Sequence, residues 1–529
     1  MSPPNALRTT ALSILAKHRT GFSLAAYAIV CAVFYPSLRF MISADTLNYI
    51  SVAELYANGQ WSQAVNAFWS PAFSWLLVPF ITAGVNGVVA VKIVNIGIGA
   101  LILTTLSSLA ETLEIEDAWT ALLLVAAVPF VASSAFLIST PDVLVVLVLS
   151  VYLRCLLRFR ASSQIRMGAL VGIIGFAGYL SKYYLFPFFV LHFTGTAILR
   201  FLNRSRSGPN WKGYATGLAV FLLLSSSWIA AIHVKYGVYA YSLTGPVARA
   251  MFSPSRGLQN PNIPIEIPSD RLTDPGTKST HFPDPSYLAL PGGELTGNTD
   301  WSLFDGRREF LHQVGLTKIA FRYASYWMAR FSPLLIPTLF VLVAFSVWKI
   351  RYETGFVAAL LAWSAIALMS GYLTLTIEGR FILFTWVIGA AGGLRLIQLA
   401  PPFPLKRLVG ALFLVTFMVM PARWLVVNMN LHNDLGIIAA ELDGRFGVTG
   451  KIASSSAFMD TAQLNQHLGT KYLGTLEKLP LNRVRRELRL HDVDYFVVWQ
   501  ADGDKKDWAK VGREITNGHF SRLAVYRVE

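Results

Sequence analysis

Long apolar stretches recur along most of the chain, and they limit the fold more than any other feature. Eleven of them can be placed, at about 21–41, 88–110, 118–138, 142–158, 167–181, 184–200, 213–233, 332–349, 354–375, 381–399 and 405–426. A helix needs about 20 residues to cross the hydrocarbon core, and in lipid the backbone must satisfy its own hydrogen bonds. Composition agrees: 54% of the 529 residues are hydrophobic and 14% charged, against about a quarter charged in soluble domains. The sequence therefore predicts an all-α polytopic membrane protein of about eleven spans. The net charge of +15 does not indicate nucleic acid, because the basic residues flank apolar segments. They serve topology and contacts with anionic membrane lipids. Cys31 and Cys155 both lie inside apolar segments, without metal-ligand spacing.

Short loops give the orientation. Arg158, Arg160 and Arg166 lie in one, Arg200, Arg204, Arg206 and Lys212 in a second, Lys349 and Arg351 in a third, and Lys406 and Arg407 in a fourth, while residues 42–91 contain no Lys or Arg. By the positive-inside rule the basic loops are cytoplasmic. Residues 1–20 are then a cytoplasmic N-terminus and 21–426 the transmembrane domain. Alternation of sides requires that 71–87 not cross, so it reads as short helices in the outer interface, anchored by Trp69, Phe73 and Trp75. The first segment lacks a cleavage site and reads as a retained anchor.

Three parts then face outward: a first loop at 42–87, an insert at 234–331, and a tail at 427–529. The insert carries eight prolines from Pro254 to Pro291, a composition suited to a mobile flap in which His281 and Asp284 are solvated. The tail alternates a helical pattern at Leu481–Leu490 with β-rich runs at Lys451–Ser454, Tyr495–Trp499 and Leu523–Val528. That pattern predicts a small extracytoplasmic α/β domain. The one Asn-x-Ser/Thr sequence, Asn203-Arg204-Ser205, falls in a cytoplasmic loop and the outward parts have none, which fits a bacterial inner membrane with the working face toward the periplasm.

A series of short motifs lies at outer helix ends: Asp45 and Tyr49 after the first span, Trp69-Ser70-Pro71, Thr140-Pro141-Asp142, Lys182-Tyr183 and Gly379-Arg380-Phe381. In order and sidedness the series resembles the GT-C membrane glycosyltransferases. The nearest branch is that of the protein O-mannosyltransferases and the lipid A aminoarabinose transferase (glycosyltransferase family 39-like). The resemblance implies transfer of a sugar, with inversion, from a polyprenyl-phosphate donor to a glycan, lipid or protein acceptor. It also departs from the family, which usually has His or Lys before the proline where this chain has Ser70. The departure places the phosphate's charge balance on Lys182 and Arg380.

Polyprenyl phosphate is a good leaving group, so the chemistry needs only a base for the acceptor hydroxyl and fixed positive charge for the departing phosphate. Asp45 is the candidate base. Lys182 and Arg380 are the candidate phosphate partners, with Tyr49, Asp142, Tyr183 and Glu378 as further donor- or substrate-binding residues. No acidic cluster accompanies Asp45, so neither a metal nor another cofactor is expected. Each residue also has a structural reading: Asp45 as a helix cap, Asp142 as part of a Thr-Pro-Asp helix start, Lys182 snorkelling to headgroups, and Glu378 pairing with Arg380. Tyr49, Tyr56, Trp61 and Trp69 read first as packing residues. The alternatives to an enzyme are a non-catalytic scaffold or subunit and, less well supported, a transporter. A transporter should show related halves and charges at mid-bilayer.

Overall fold

A computed structural model of the chain describes residues 18–161, 165–202, 211–254, 272, 301–349, 351–429, 433–477, 479–500 and 507–529. In chain order the helices are α1 (Arg19–Leu38), α2 (Ala44–Ala57), α3 (Trp61–Ala64), α4 (Pro71–Thr82), α5 (Gly87–Thr112), α6 (Asp117–Leu137), α7 (Asp142–Ala161), α8 (Ile165–Ser181), α9 (Leu185–Leu202), α10 (Trp211–Tyr236), α11 (Thr244–Met251), α12 (Arg307–Phe331), α13 (Leu335–Trp348), α14 (Glu353–Tyr372), α15 (Phe384–Leu399) and α16 (Lys406–Val427). A 3₁₀ turn, Gly379–Ile382, precedes α15. The rest is α17 (Asn433–Gly444), β1 (Lys451–Ser454), α18 (Phe458–Leu468), β2 (Lys471–Thr475), α19 (Leu481–Leu490), β3 (Tyr495–Trp499), β4 (Gly512–Glu514) and β5 (Leu523–Val528). Two compact units result: Met1–Pro36, Asn95–Pro261 and Leu288–Met429 in the first, and Ser37–Val94, Asn262–Tyr287 and Asn430–Glu529 in the second.

Each of the eleven expected segments coincides with a helix. Among the described residues eight helices are long and apolar enough to cross a membrane, or nine if the bent pair α12 and α13 is one span. The expected count of about eleven is thus not confirmed. α7 has the length but carries Asp142 and three arginines, and α8 has 17 residues, about 25 Å of helix. Within the expected flap, Arg307–Phe331 is a 25-residue helix and not irregular chain. The prolines from Pro261 to Pro291, His281, Asp284 and the Asn203-Arg204-Ser205 sequence lie outside the described residues. α4, at 12 residues, is too short to span, as expected of an interface helix.

In the first unit, α8 and α10 cross through glycines. A Cβ on Gly168 would meet the Gly213 carbonyl oxygen at 2.1 Å, and one on Gly172 the Gly217 oxygen at 2.3 Å. Small residues at four-residue spacing let the two backbones touch, a main source of helix association in lipid. α7, α9 and α14 are joined by polar groups instead. Tyr152 Oη lies 2.9 Å from His192 Nδ1, and His192 Nε2 lies 2.9 Å from Ser364 Oγ. Ser364 Oγ donates to the Leu360 carbonyl at 2.8 Å, so it accepts from Nε2–H, which leaves Nδ1 to accept from Tyr152. Ion pairs hold the end of the first unit's helices that carries the basic loops: Arg19 of α1 with Glu111 and Asp117, Arg200 of α9 with Glu353 of α14, and Arg395 of α15 with Glu114.

The second unit contains a five-stranded sheet of order β2-β1-β3-β5-β4. β1 is parallel to β2 and β3, while β5 is antiparallel to β3 and β4. Alternation sorts the side chains. Ile452, Val497 and Val525 enter a core with Leu435 and Leu442 of α17 and Leu464 of α18, while Ala453, Phe496 and Val498 enter another with Val484 and Leu488 of α19. The three β-rich runs read from sequence are β1, β3 and β5. Ile42, Leu47 and Val88 join the first of these cores, so the segment after the first span packs within this unit.

Candidate active site

Asp142 opens α7 as the sequence predicts. Thr140 Oγ1 donates to its Oδ2 at 2.6 Å, and the Val145 amide donates to the Pro141 carbonyl at 2.9 Å. The second carboxylate oxygen accepts from the Lys182 ammonium. Lys182 stands in the tight turn between α8 and α9, where its amide donates to Gly178 and the Leu185 amide donates to the Lys182 carbonyl. Asp142 is 3% exposed and the Lys182 side chain 20%, so this pair is withdrawn from bulk water.

An aromatic shelf lies beneath the ammonium. Lys182 Nζ is 4.1 Å from the centroid of the Phe381 ring and 5.8 Å from that of Tyr372. Phe381 stacks on Tyr372 at 4.7 Å, and Tyr372 packs on Tyr184 at 4.0 Å. Such a shelf attracts a cation through the ring quadrupole. Burial pushes the Lys182 ammonium below the usual lysine range, with Asp142 opposing and Arg380 adding to the effect.

Arg380 sits on the 3₁₀ turn, which touches α7, α12, α14 and α15. Its Nε donates to Glu378 Oε2 at 2.7 Å. The turn needs Gly379, because a Cβ there would lie 2.6 Å from the Trp327 ring of α12. Lys182, Asp142, Arg380 and Glu378 thus gather at one end of α7, α9, α14 and α15, two charges of each sign. Tyr183 is turned elsewhere: its hydroxyl accepts from Trp228 Nε1 at 2.9 Å and its ring packs on Tyr179.

Asp45 and Tyr49 belong to the second unit. Ser43, not Asp45, caps α2: its Oγ lies 2.9 Å from Thr46 Oγ1, and the Thr46 hydroxyl accepts from the Ser43 amide. Asp45 is half-buried in the first turn. Tyr49, one turn on, is edge-to-face with Trp69 and Phe73, and its carbonyl accepts from Ser74 Oγ at 2.9 Å. Ser70 caps α4 by position, without a side-chain cap bond. Sequence reasoning missed Tyr184, Tyr372 and Trp327; Tyr372 was visible as an aromatic residue ending an apolar segment. Among the described residues no three His, Cys, Asp or Glu side chains gather as metal ligands would.

Neither a protein-family model nor a curated protein sequence matches the chain. Solved structures do match its fold. ArnT from Cupriavidus metallidurans bound to undecaprenyl phosphate aligns with a TM-score of 0.57 at 13% identity, over 96% of this chain and 98% of that one. The Archaeoglobus fulgidus oligosaccharyltransferase in its apo form aligns with a TM-score of 0.51 at 10% identity, over 94% of this chain and 71% of that one. The chain therefore shares its fold with these two structures.

Proposed function

We propose that the chain is an inverting glycosyltransferase that moves a sugar from a polyprenyl-phosphate donor to an acceptor hydroxyl. The acceptor oxygen attacks the anomeric carbon and its proton passes to the Asp45 carboxylate. The carbon–oxygen bond to phosphate breaks, and the polyprenyl phosphate leaves with the electron pair, held by Arg380 and Lys182. The observation that carries this reading is the gathering of Lys182 and Arg380 at one helix end, in a fold shared with a protein bound to undecaprenyl phosphate. Glu378 orients the guanidinium through Nε, and a planar fork suits phosphate oxygens. Asp142 holds the ammonium over Phe381, and Tyr49 positions the Asp45 helix by packing on Trp69 and Phe73. Basic short loops read as cytoplasmic support a site on the opposite, periplasmic face of a bacterial inner membrane.

The test is turnover by the purified protein with polyprenyl-phosphate sugars. Activity that Asp45→Asn abolishes and Arg380→Ala lowers about a hundredfold or more supports the reading. A second reading, a non-catalytic scaffold, is favoured by the balance of two acids against two bases and by Ser70. No turnover with any donor, together with donor binding unchanged by Arg380→Ala, would establish it.

A further inference from the structure

α12 has the sequence of a helix that lies in a membrane interface instead of crossing it. It carries Arg307, Arg308, Lys318, Arg322 and Arg330 against one acid, Glu309. One face is buried, through Leu316, Ala320, Ala324, Met328 and Phe331. Beside it the helix exposes Phe310 (51%), Val314 (48%) and Phe321 (60%), which at the helical repeat share a strip about 40° wide. Lys318 and Arg322 follow immediately around the helix, both exposed. Apolar strip and basic strip therefore run side by side along the outward surface, the division seen in helices that sink one edge among acyl chains and keep the other at phosphate level.

The backbone supplies an independent argument. α12 turns by 103° into α13. α13 runs along α14 and α15, both within segments long and apolar enough to cross, so α12 lies nearly crosswise to helices that span. Tyr323 and Tyr326 are exposed on it, in keeping with an interfacial belt. Its Trp327 ring fills the space over Gly379, which seats the helix on the turn that carries Arg380.

We infer that α12 is a lipid-binding interfacial helix whose Lys318–Arg322 strip takes the phosphates of anionic phospholipids. The contact does not depend on the transferase reading, and its test uses no turnover. The full-length protein is placed in nanodiscs of phosphatidylcholine alone or enriched in phosphatidylglycerol, with nitroxide labels at Val314→Cys, Lys318→Cys or Phe321→Cys. The labels at 314 and 321 should be relaxed by oxygen and shielded from a water-soluble relaxant, with the label at 318 at headgroup depth. Phosphatidylglycerol retained through purification should bind about tenfold more weakly to Lys318→Glu/Arg322→Glu and return with Lys318→Arg/Arg322→Lys, at unchanged melting temperature. Labels at 314 and 321 open to water or closed to both relaxants, or lipid retention indifferent to charge reversal, would overturn the inference.

Discussion

Both ends of the helices in the first unit carry ion pairs, but one pair at the Arg380 end is built on terms opposite to the rest: Glu378 there is wet like the acids of the other end, while Asp142 is dry. At the basic-loop end the cations are covered and the acids wet: Glu111, Asp117, Glu353 and Glu114 are 53%, 68%, 41% and 72% exposed. At the Arg380 end the best-formed pair hides its acid, with Asp142 at 3%. Hydrated carboxylates contribute little to stability and can lose their partners cheaply. A dry one cannot, since removing one partner strands a charge. Anchoring explains the first arrangement. The second keeps a costly ammonium at a fixed point over an aromatic surface, which is expected where a cation must meet a ligand.

The contrast can be broken by mutation, with the largest effect at the dry pair. Asp142→Ala, which leaves Lys182 without its carboxylate, should cost about 3 kcal/mol in thermal or denaturant unfolding in detergent. Asp142→Ala/Lys182→Met should recover most of that loss. Equal costs for the single and double variants would show that the pair is not a unit. Next comes Gly168→Val, about 2 kcal/mol, because the added carbons meet Gly213 backbone that cannot give way; it tests whether packing or charge dominates the same unit. Glu114→Ala, at the wet end, should stay within about 1 kcal/mol. A larger loss there would erase the distinction between the ends.

Titration sharpens the comparison, because the basic end uses arginines that do not lose their protons. Lys182 loses its charge below the usual lysine range, so donor binding should fall on the alkaline side before an ordinary lysine would titrate. The unfolded chain holds that proton to higher pH, so over the same window stability should rise as binding falls. Lys182→Arg should move the binding limb upward. The second unit has its own acid-side signal. Burial and the nearby Lys92 push His467 down to about 4. The stability this gives is complete above the unfolded value of about 6.5 and is lost as pH falls toward 4. Melting followed from neutral to acid pH should show the loss, and His467→Phe should remove it.

Much of this was legible in the chain because burial leaves a periodic trace. The eleven apolar segments are helices, and three strands and helix α19 begin and end where alternation and the 3.6 repeat place them. β2 was missed because Lys471-Tyr472-Leu473-Gly474-Thr475 has a glycine at φ +127° inside it, and β4 because three residues carry no period. α12 was missed because its five basic residues offset its apolar ones, so averaged hydropathy cancels. At the site, the motifs announced Asp142 and Lys182 singly and Glu378 with Arg380 as a pair. The Asp142–Lys182 pair, and its seat on the shelf of Phe381, Tyr372 and Tyr184, joins residues distant in the chain, which no local pattern can reveal.

The hydrogen-bonded run from Tyr152 through His192 to Ser364 has a mechanical consequence. It pins three rods part-way along their length, so none can swivel without abandoning a buried polar contact where lipid offers no replacement. The tips of those rods present Asp142, the turn holding Lys182, and Tyr372. Whatever opens to admit a bulky guest must then hinge in the connecting segments, while the charged platform itself stays stiff.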